Sequence, residues 1–204
     1  MRSLSPLSLR TGEGIVIDIG TGDGRFVSAM AKRAPNKFFI GIDANVKPLE
    51  KPSMKATRKP NKGGLPNVMF VQAAVEALPE EFTGVADEIH IHFPWGSLLR
   101  AIAIGDPDIL TSLRRIAAPN CLLEIIIGID PERDISELER LGLPDLTSNY
   151  LNTNLPSKYE AAGFKYVESG QMDNYAWSKI ETSWAQRLRG STTRVIQFLI
   201  FRAG

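Results

Sequence analysis

Residues 14–24 have the sequence GIVIDIGTGDG, and they organise the chain around them. Residues 15–19 are apolar except for Asp18, which predicts a short strand buried on both faces. Glycines follow at alternate positions, and a helical pattern of apolar residues then predicts a helix over about Arg25–Arg33. Glycine lets a ligand approach the bare backbone, and the start of a helix offers unpaired N–H groups. The sequence therefore predicts a binding loop between a strand and a helix.

A second predicted strand, Phe38–Ile42, ends at Asp43, about 20 residues after the loop. A carboxylate at this point can accept hydrogen bonds from both hydroxyls of a ribose. The dinucleotide pattern needs a third glycine where this chain has Arg25, and the Walker lysine is absent. The spacing Asp-x-Gly-x-Gly-x-Gly of residues 18–24 instead resembles the first motif of Rossmann-like S-adenosylmethionine methyltransferases. The alternative is an ordinary tight turn between strand and helix.

Composition limits the possible classes of protein. The 204 residues predict one domain over residues 1–204, with a basic insertion at about residues 44–66. A formal net charge of +1 excludes a uniformly basic nucleic-acid coat. Cys121 is the only cysteine, which favours a reducing compartment. Because the sequence shows neither a bilayer-spanning apolar run nor a signal-peptide core, we expect a cytoplasmic protein, and we expect a monomer.

Basic residues are concentrated in one part of the chain. Residues 32–62 contain nine basic and two acidic residues. Their spacing predicts a helix over about Pro48–Lys59 with one basic face. Phosphate contacts of this kind supply affinity without sequence information. A solvated lysine-rich face is the alternative, but the position beside the binding loop favours nucleic acid. The predicted RNA-binding residues here are Lys47, Lys51, Lys55, Arg58, Lys59 and Lys62.

The rest of the chain alternates between strand and helix patterns. Further strands are predicted at Val68–Val71, Asp87–Phe93, Cys121–Ile129, Phe164–Val167 and Thr193–Phe201, and helices at Asp106–Ala117, Ile135–Leu141 and Leu155–Ala162. Together with the loop motif, this order predicts an α/β, Rossmann-like class I methyltransferase fold with a seven-stranded, mostly parallel sheet and an antiparallel C-terminal hairpin strand. Ala74 and Glu76 follow the third strand, where this fold usually receives the cofactor's adenine.

His90 and His92 lie two residues apart in the fourth predicted strand, so they share one face of it. Without a third ligand nearby, packing is favoured over a metal site, and no metal is predicted. His92, near the end of the strand, can still border the pocket.

Two tryptophans lie in connections between predicted strands, one after the fourth strand and one before the last. In open α/β sheets, ligands bind beyond the carboxyl ends of the strands near the switch point. Trp95, in FPWGSLLR after the fourth strand, is therefore predicted at the substrate mouth, and Trp184 precedes the last strand. Two indoles could sandwich a flipped base at about 1–3 kcal/mol per stack, which offsets a flipping cost of a few kcal/mol. Arg187 and Arg189 could hold the displaced phosphate.

The blocks DIGTGDG, GIDAN, KGGLPN, FPWGSLLR and ETSWAQRL resemble, in this order, the aminoglycoside-resistance methyltransferases that modify N1 of adenine 1408 in 16S ribosomal RNA. The similarity covers about residues 15–203. The resemblance implies that the cofactor is held by Asp18, Gly20, Gly22, Gly24 and Asp43. It also implies that Trp95 and Trp184 clamp the adenine and that Ser97, Thr182 and Ser183 line the space between them. The basic stretch, by the same resemblance, docks the RNA of the 30S subunit. Only about 13 residues precede the first strand, so we expect an RNA-contacting N-terminal hairpin of the relatives to be shortened.

The implied chemistry needs no general base and no metal, because the lone pair of N1 is free once base pairing is lost. Alignment of N1 about 3 Å from the methyl carbon is then the main catalytic requirement. Three alternatives stay open: another RNA methyltransferase such as a tRNA guanine-N7 enzyme, a small-molecule methyltransferase, and a non-catalytic RNA-binding module.

Overall fold

The computed structural model describes residues 13–130, 132–147, 149–173, 180–182, 185–186 and 194–204. These residues form a seven-stranded sheet. Its strands are β1 (Ile15–Ile19), β2 (Phe38–Asp43), β3 (Val68–Gln72), β4 (Ala86–His92), β5 (Ala117–Ile129), β6 (Phe164–Gln171) and β7 (Val195–Ala203).

The strand order is β3-β2-β1-β4-β5-β7-β6. Strands β1 to β5 pair in parallel, and β7 lies antiparallel between β5 and β6. This arrangement confirms the predicted fold class, including the antiparallel C-terminal strand. The order reverses between β1 and β4, so the carboxyl ends of these two strands flank the switch point where open α/β sheets bind ligands.

Six α-helices are found in the described part of the chain: α1 (Arg25–Arg33), α2 (Val46–Ala56), α3 (Gly96–Ile104), α4 (Pro107–Ile116), α5 (Ile135–Leu141) and α6 (Leu155–Ala161). Short 3-10 turns occupy Pro60–Lys62, Val75–Ala77 and Glu80–Phe82, and a π-helical turn spans Tyr150–Asn154. The predicted bounds of β1, α1 and α5 match the structure.

Other predicted bounds need correction. The basic helix begins at Val46 rather than Pro48, because the Asn45 side chain caps it by accepting a hydrogen bond from the Lys47 N–H at 3.1 Å. It ends at Ala56 rather than Lys59. The sequence patterns did not predict α3, although its first residue follows Trp95 directly. Strand β5 begins at Ala117 rather than Cys121, and β6 extends to Gln171 rather than Val167.

Both faces of the sheet are covered by apolar side chains. On one face, Val16 and Phe39 pack against Phe26 and Val27 of α1. On the other, the alternate residues of β1 join the larger core formed with α3 and α4. The loop between β1 and α1 is thus anchored at both ends by buried elements. Among the described residues, no helix combines the length and the apolar character that a membrane crossing requires.

Candidate active site

A cavity of about 610 Å³ opens at the carboxyl ends of β1, β2 and β4. Its volume is in the range of about 300–1,000 Å³ that is typical of small-molecule sites. The cavity lies at the switch point of the sheet, as predicted. Many of the predicted site residues meet in its wall: Asp18, Gly20, Gly22, Asp43, Ala74, Glu76, Trp95, Ser97 and Thr182.

The loop after β1 is fastened to the end of β2 by hydrogen bonds. The N–H groups of Gly20 and Thr21 donate to the carbonyl of Ile42 at 2.8 and 3.0 Å. The N–H of Gly22 donates to Asp43 Oδ2 at 2.8 Å. These bonds fix the loop backbone at the base of the cavity, so its shape is set before any ligand arrives.

Asp43 uses both carboxylate oxygens to hold the surrounding backbone. Oδ2 accepts from Gly22, and Oδ1 accepts from the N–H of Asn45 at 2.9 Å. Each oxygen keeps a further lone pair that can accept a hydroxyl proton. Gly22 has a φ of 56°, and a Cβ atom built on it would meet nothing within 4 Å. The space beside Asp43 is therefore open to a ligand with hydroxyl groups.

Gly24 serves a different purpose from Gly20 and Gly22. It is the N-cap of α1, with a φ of 66°, and it is not part of the cavity wall. A Cβ atom at Gly24 would lie 2.3 Å from Cε1 of Phe70 on β3. The glycine thus allows α1 to start against the Phe70 ring, and direct cofactor contact by Gly24 stays a prediction.

The β3 side of the cavity is largely apolar. Ala73, Ala74 and Val75 line it, with Glu76 as the polar exception. The Ala73 N–H donates to the Asp43 carbonyl at 3.1 Å, and the Ser112 hydroxyl of α4 donates to the Val75 carbonyl at 2.6 Å. An apolar wall of this kind suits a purine ring, and binding of the cofactor's adenine beside Ala74 and Glu76 stays a prediction.

Trp95 stands at the mouth of the cavity with 38% of its surface exposed. The backbone around it is unusual, because Phe93 has a φ of 51°, which is uncommon for a residue with a side chain. The Phe93 side chain is buried against Ile126, Ala185 and Ile196. This buried anchor, followed by Pro94, directs the chain so that Trp95 lies over the opening. Trp95 lines the cavity at the switch point, and its contact with a substrate base stays a prediction.

Residues 180–182 and 185–186 are the described part of the segment that precedes β7, and one of them reaches the cavity. Thr182 lines the cavity, and its hydroxyl accepts a hydrogen bond from the Ala185 N–H at 2.9 Å. Two arginines of α1 hold this segment: Arg25 contacts Gln186, and Arg33 contacts Glu181. The predicted residues Ser183, Trp184, Arg187 and Arg189 lie outside the described residues.

A cluster of titratable groups on β4 and β5 adjoins the cavity through His92. His90 Nδ1 is 3.0 Å and His92 Nε2 is 2.7 Å from the same oxygen, Oε1 of Glu124. His90 Nε2 lies 3.3 Å from Oε2 of Glu88, whose other oxygen accepts from Lys37 Nζ at 2.6 Å. The premise that the two histidines have no third metal ligand nearby is therefore wrong. Strand pairing, which the sequence alone does not display, brings Glu124 to them.

Hydrogen bonds and charge interactions within this cluster stabilise the ionised forms of its side chains. Burial opposes the imidazolium of His90, but hydrogen bonds to Glu124 and Glu88 outweigh it and raise its pKa to about 9. Burial also opposes ionisation of Glu124, yet both histidines hold the pKa of its carboxyl well below the usual range. The hydrogen bond to His90 lowers the pKa of Glu88 to about 2.

Asp18 joins the cluster to the cavity. It is buried, and burial raises the pKa of its carboxyl above the usual range. Asp18 and His92 both line the cavity, which confirms that His92 borders the pocket. A ligand in the cavity would therefore be close to Asp18 and His92.

The basic segment, residues 44–66, lies beside the cavity and shares Pro48 with its wall. Leu49 and Ala56 are the buried residues of α2 and attach this helix to the body of the protein. The basic side chains face solvent, and all the predicted residues are exposed: Lys47, Lys51, Lys55, Arg58, Lys59 and Lys62. Met54, which lies among them, is 68% exposed.

Comparison with known proteins gives a family match over most of the chain. The family model NpmA, 16S rRNA (adenine(1408)-N(1))-methyltransferase, matches residues 7–201. A protein of this name from Escherichia coli is 37% identical over 173 residues, which is 84% of this chain and 79% of the relative.

Solved structures lead to the same family. The crystal structure of the aminoglycoside resistance methyltransferase NpmB1 has a TM-score of 0.86 and 45% identity, and covers 100% of this chain and 95% of that one. A tryptophan-to-alanine mutant of the 16S rRNA (adenine(1408)-N(1))-methyltransferase from Catenulisporales acidiphilia, with cosubstrate SAM, has a TM-score of 0.88 and 33% identity, and covers 99% of this chain and 92% of that one.

Proposed function

We propose a reaction for this chain on one premise: the chain belongs to the NpmA family of 16S rRNA (adenine(1408)-N(1))-methyltransferases. The proposed reaction transfers a methyl group from S-adenosylmethionine to N1 of adenine 1408 in the 16S rRNA of the 30S subunit. One observation carries the proposal: a single cavity joins the Gly22–Asp43 pair to Trp95. We expect a bacterium that expresses the protein to become resistant to aminoglycosides that bind at this nucleotide.

The cavity wall fits S-adenosylmethionine. Asp43 would accept hydrogen bonds from the ribose hydroxyls through its remaining lone pairs. Ala74 and Glu76 would border the adenine, and Gly20 and Gly22 would allow the methionine part to approach the loop backbone. The bound cosubstrate supplies a methyl group on a positively charged sulfur.

The proposed transfer needs no acid or base from the protein. The lone pair of adenine N1 forms the new N–C bond while the C–S bond breaks. The positive charge passes from sulfur to the adenine ring, so no proton has to leave. The protein then contributes mainly alignment, which brings N1 to about 3 Å from the methyl carbon. Among the described residues, Trp95, Ser97 and Thr182 line the part of the cavity where the base would enter.

Trp95 is the described residue best placed to receive the target base. Its exposed ring borders the cavity, so an adenine that leaves its stack could lie on the indole face. Each such stack contributes about 1–3 kcal/mol, against a flipping cost of a few kcal/mol. We propose Trp184 as the second face of this clamp, with Ser183 beside it and Arg187 and Arg189 on the displaced phosphate.

The basic segment would dock the enzyme on the ribosomal RNA. Its exposed lysines lie along α2, next to the cavity, so phosphate contacts there would bring a nearby nucleotide to the mouth. These contacts fix position, while the base itself is selected inside the cavity.

Methylation mapping tests this function directly. Purified protein and labelled S-adenosylmethionine are incubated in three parallel reactions, with 30S subunits, with free 16S rRNA or with tRNA. We expect label on 30S subunits and a primer-extension stop at adenine 1408. Label on tRNA with none on 30S subunits would instead support the tRNA methyltransferase alternative. Calorimetry with S-adenosylmethionine separates both from a non-catalytic RNA-binding module, which would bind no cosubstrate.

A further inference from the structure

Both histidines of the chain lie side by side on one face of the sheet, next to Glu124. His90 and His92 alternate on β4, and the parallel register of β5 places Glu124 opposite His90. Their ligand atoms, one from each residue, all lie within 4.8 Å of one another. Three groups that commonly bind metals therefore converge from two adjacent strands, whose backbones are fixed by the sheet.

The three ligand atoms are of the kinds that zinc prefers in proteins. Two imidazole nitrogens and one carboxylate oxygen are common ligands of zinc, with a fourth position left for water or another group. Zinc bonds of about 2.0–2.2 Å in a tetrahedron require ligand atoms roughly 3.3 Å apart. The present separations from Glu124 Oε1 are 3.0 Å to His90 and 2.7 Å to His92. Small rotations of the three side chains would open the required space.

Glu88 provides the outer support that histidine ligands usually have. Its Oε2 lies 3.3 Å from His90 Nε2, and its Oε1 accepts from Lys37 Nζ at 2.6 Å. A carboxylate that accepts the proton of one ring nitrogen leaves the other nitrogen as the ligand atom. In this arrangement His90 would donate through Nε2 and bind the metal through Nδ1.

Charge and burial also favour a cation at this point. The side chains of His90 and His92 are 10% and 3% exposed, and the Phe26 ring packs against both. Asp18 lies opposite His90 in the β1 register, so three carboxylates (Asp18, Glu88 and Glu124) are grouped here with Lys37 and His90. A divalent ion that binds His90 would replace the proton on its ring as the compensating positive charge.

We propose that His90 Nδ1, His92 Nε2 and the Glu124 carboxylate bind one zinc ion. The Glu124 side chain is 29% exposed and His92 lines the cavity, so an ion can reach the three ligand atoms. The ion links β4 to β5 where His92 adjoins the cavity and stabilises the folded state by mass action. This site is independent of the proposed methyl transfer.

The test uses tag-free, chelator-treated protein labelled with ¹⁵N. Because the chain has two histidines, its imidazole NMR spectrum reports the site alone. We expect one equivalent of Zn²⁺ to shift the ring signals of both histidines, and Co²⁺ to give the visible absorption bands of a four-coordinate ion. In calorimetry, Glu124→Gln is expected to weaken zinc binding at least about tenfold. Glu81→Gln, an exposed carboxylate in another part of the protein, is the control and is expected to leave it unchanged.

The Zn²⁺ titration of the wild-type protein tests the proposal even if a variant fails to fold. If neither histidine signal moves with one equivalent of Zn²⁺, the proposal is wrong. It is also wrong if a folded Glu124→Gln variant binds zinc as tightly as the wild type, because the ion would then lie elsewhere.

Discussion

The cavity and the basic segment meet at Pro48, yet they are built in opposite ways. In the cavity, short hydrogen bonds fix the polar groups, as between Gly22 and Asp43. In the basic segment only Leu49 and Ala56 are buried within α2, and the lysines extend into solvent. Contact in the cavity depends on exact placement over a few ångströms. Charge on the basic segment acts over about 8–10 Å at moderate ionic strength and is screened by salt.

This difference implies a division of labour. Changes in the cavity should alter cosubstrate binding or methyl transfer, with little dependence on salt. Changes in the basic segment should alter binding of the ribosomal subunit, with a strong dependence on salt.

The largest effect is expected for Trp95→Ala. Loss of one stacking face costs about 1–3 kcal/mol, and misplacement of the reacting base can cost about 100-fold more. We expect kcat/KM on 30S subunits to fall about 1000-fold, while calorimetry shows nearly unchanged S-adenosylmethionine binding. Trp95→Phe keeps an aromatic face and should restore part of the activity. Normal methylation by a folded Trp95→Ala protein would refute the proposed clamp.

Gly24→Ala is expected to reduce stability most among changes in the glycine loop. The positive φ costs about 1–2 kcal/mol, and overlap with the Phe70 ring adds about 1–3 kcal/mol. Gly22→Ala is the matched control, because it has a similar φ but open space around the new methyl group. We expect the free energy of unfolding, from urea denaturation, to fall by about 3 kcal/mol at Gly24 and about 1 kcal/mol at Gly22. A second change, Phe70→Leu, should partly rescue only the Gly24 variant, and equal losses at both glycines would exclude the overlap.

Asp43→Asn is expected to act through the cosubstrate. The change removes charge-assisted hydrogen bonds worth about 1.5–3 kcal/mol, so S-adenosylmethionine should bind about 10- to 100-fold more weakly. The loss should be similar at low and moderate salt. Glu50→Gln, on the exposed side of α2, is the control and should bind normally. Unchanged affinity in Asp43→Asn would mean that the ribose is held elsewhere.

The smallest effect is expected for the triple variant Lys47→Gln, Lys51→Gln and Lys55→Gln. If each lysine contacts one phosphate, the slope of log affinity for 30S subunits against log salt should decrease by about 2. Affinity at low salt should fall about tenfold, and S-adenosylmethionine binding should not change. Lys165→Gln, an exposed lysine on β6, is the control. If the triple variant keeps the wild-type salt slope, the basic segment is not part of the docking surface.

Local patterns were sufficient for much of the fold and of the cavity. The apolar run of β1 and the helical stripe of α1 are dictated by neighbours in sequence, and their predicted bounds match the structure. Asp43 could be placed in the site because a residue that ends a parallel strand must lie at the ligand-binding edge. In contrast, α3 escaped prediction: its run GSLLRAIAI is apolar on most sides, so it lacks the periodicity of a surface helix.

The sequence by itself determined the alternation of strands and helices, the glycine loop and the acidic end of β2, because each depends on residues close together in the chain. Only the tertiary structure decided that Gly24 accommodates the Phe70 ring and that Glu124 lies between His90 and His92. Those contacts arise from the pairing and packing of strands that are far apart in sequence. Local sequence propensity does not indicate which distant residue will be in contact.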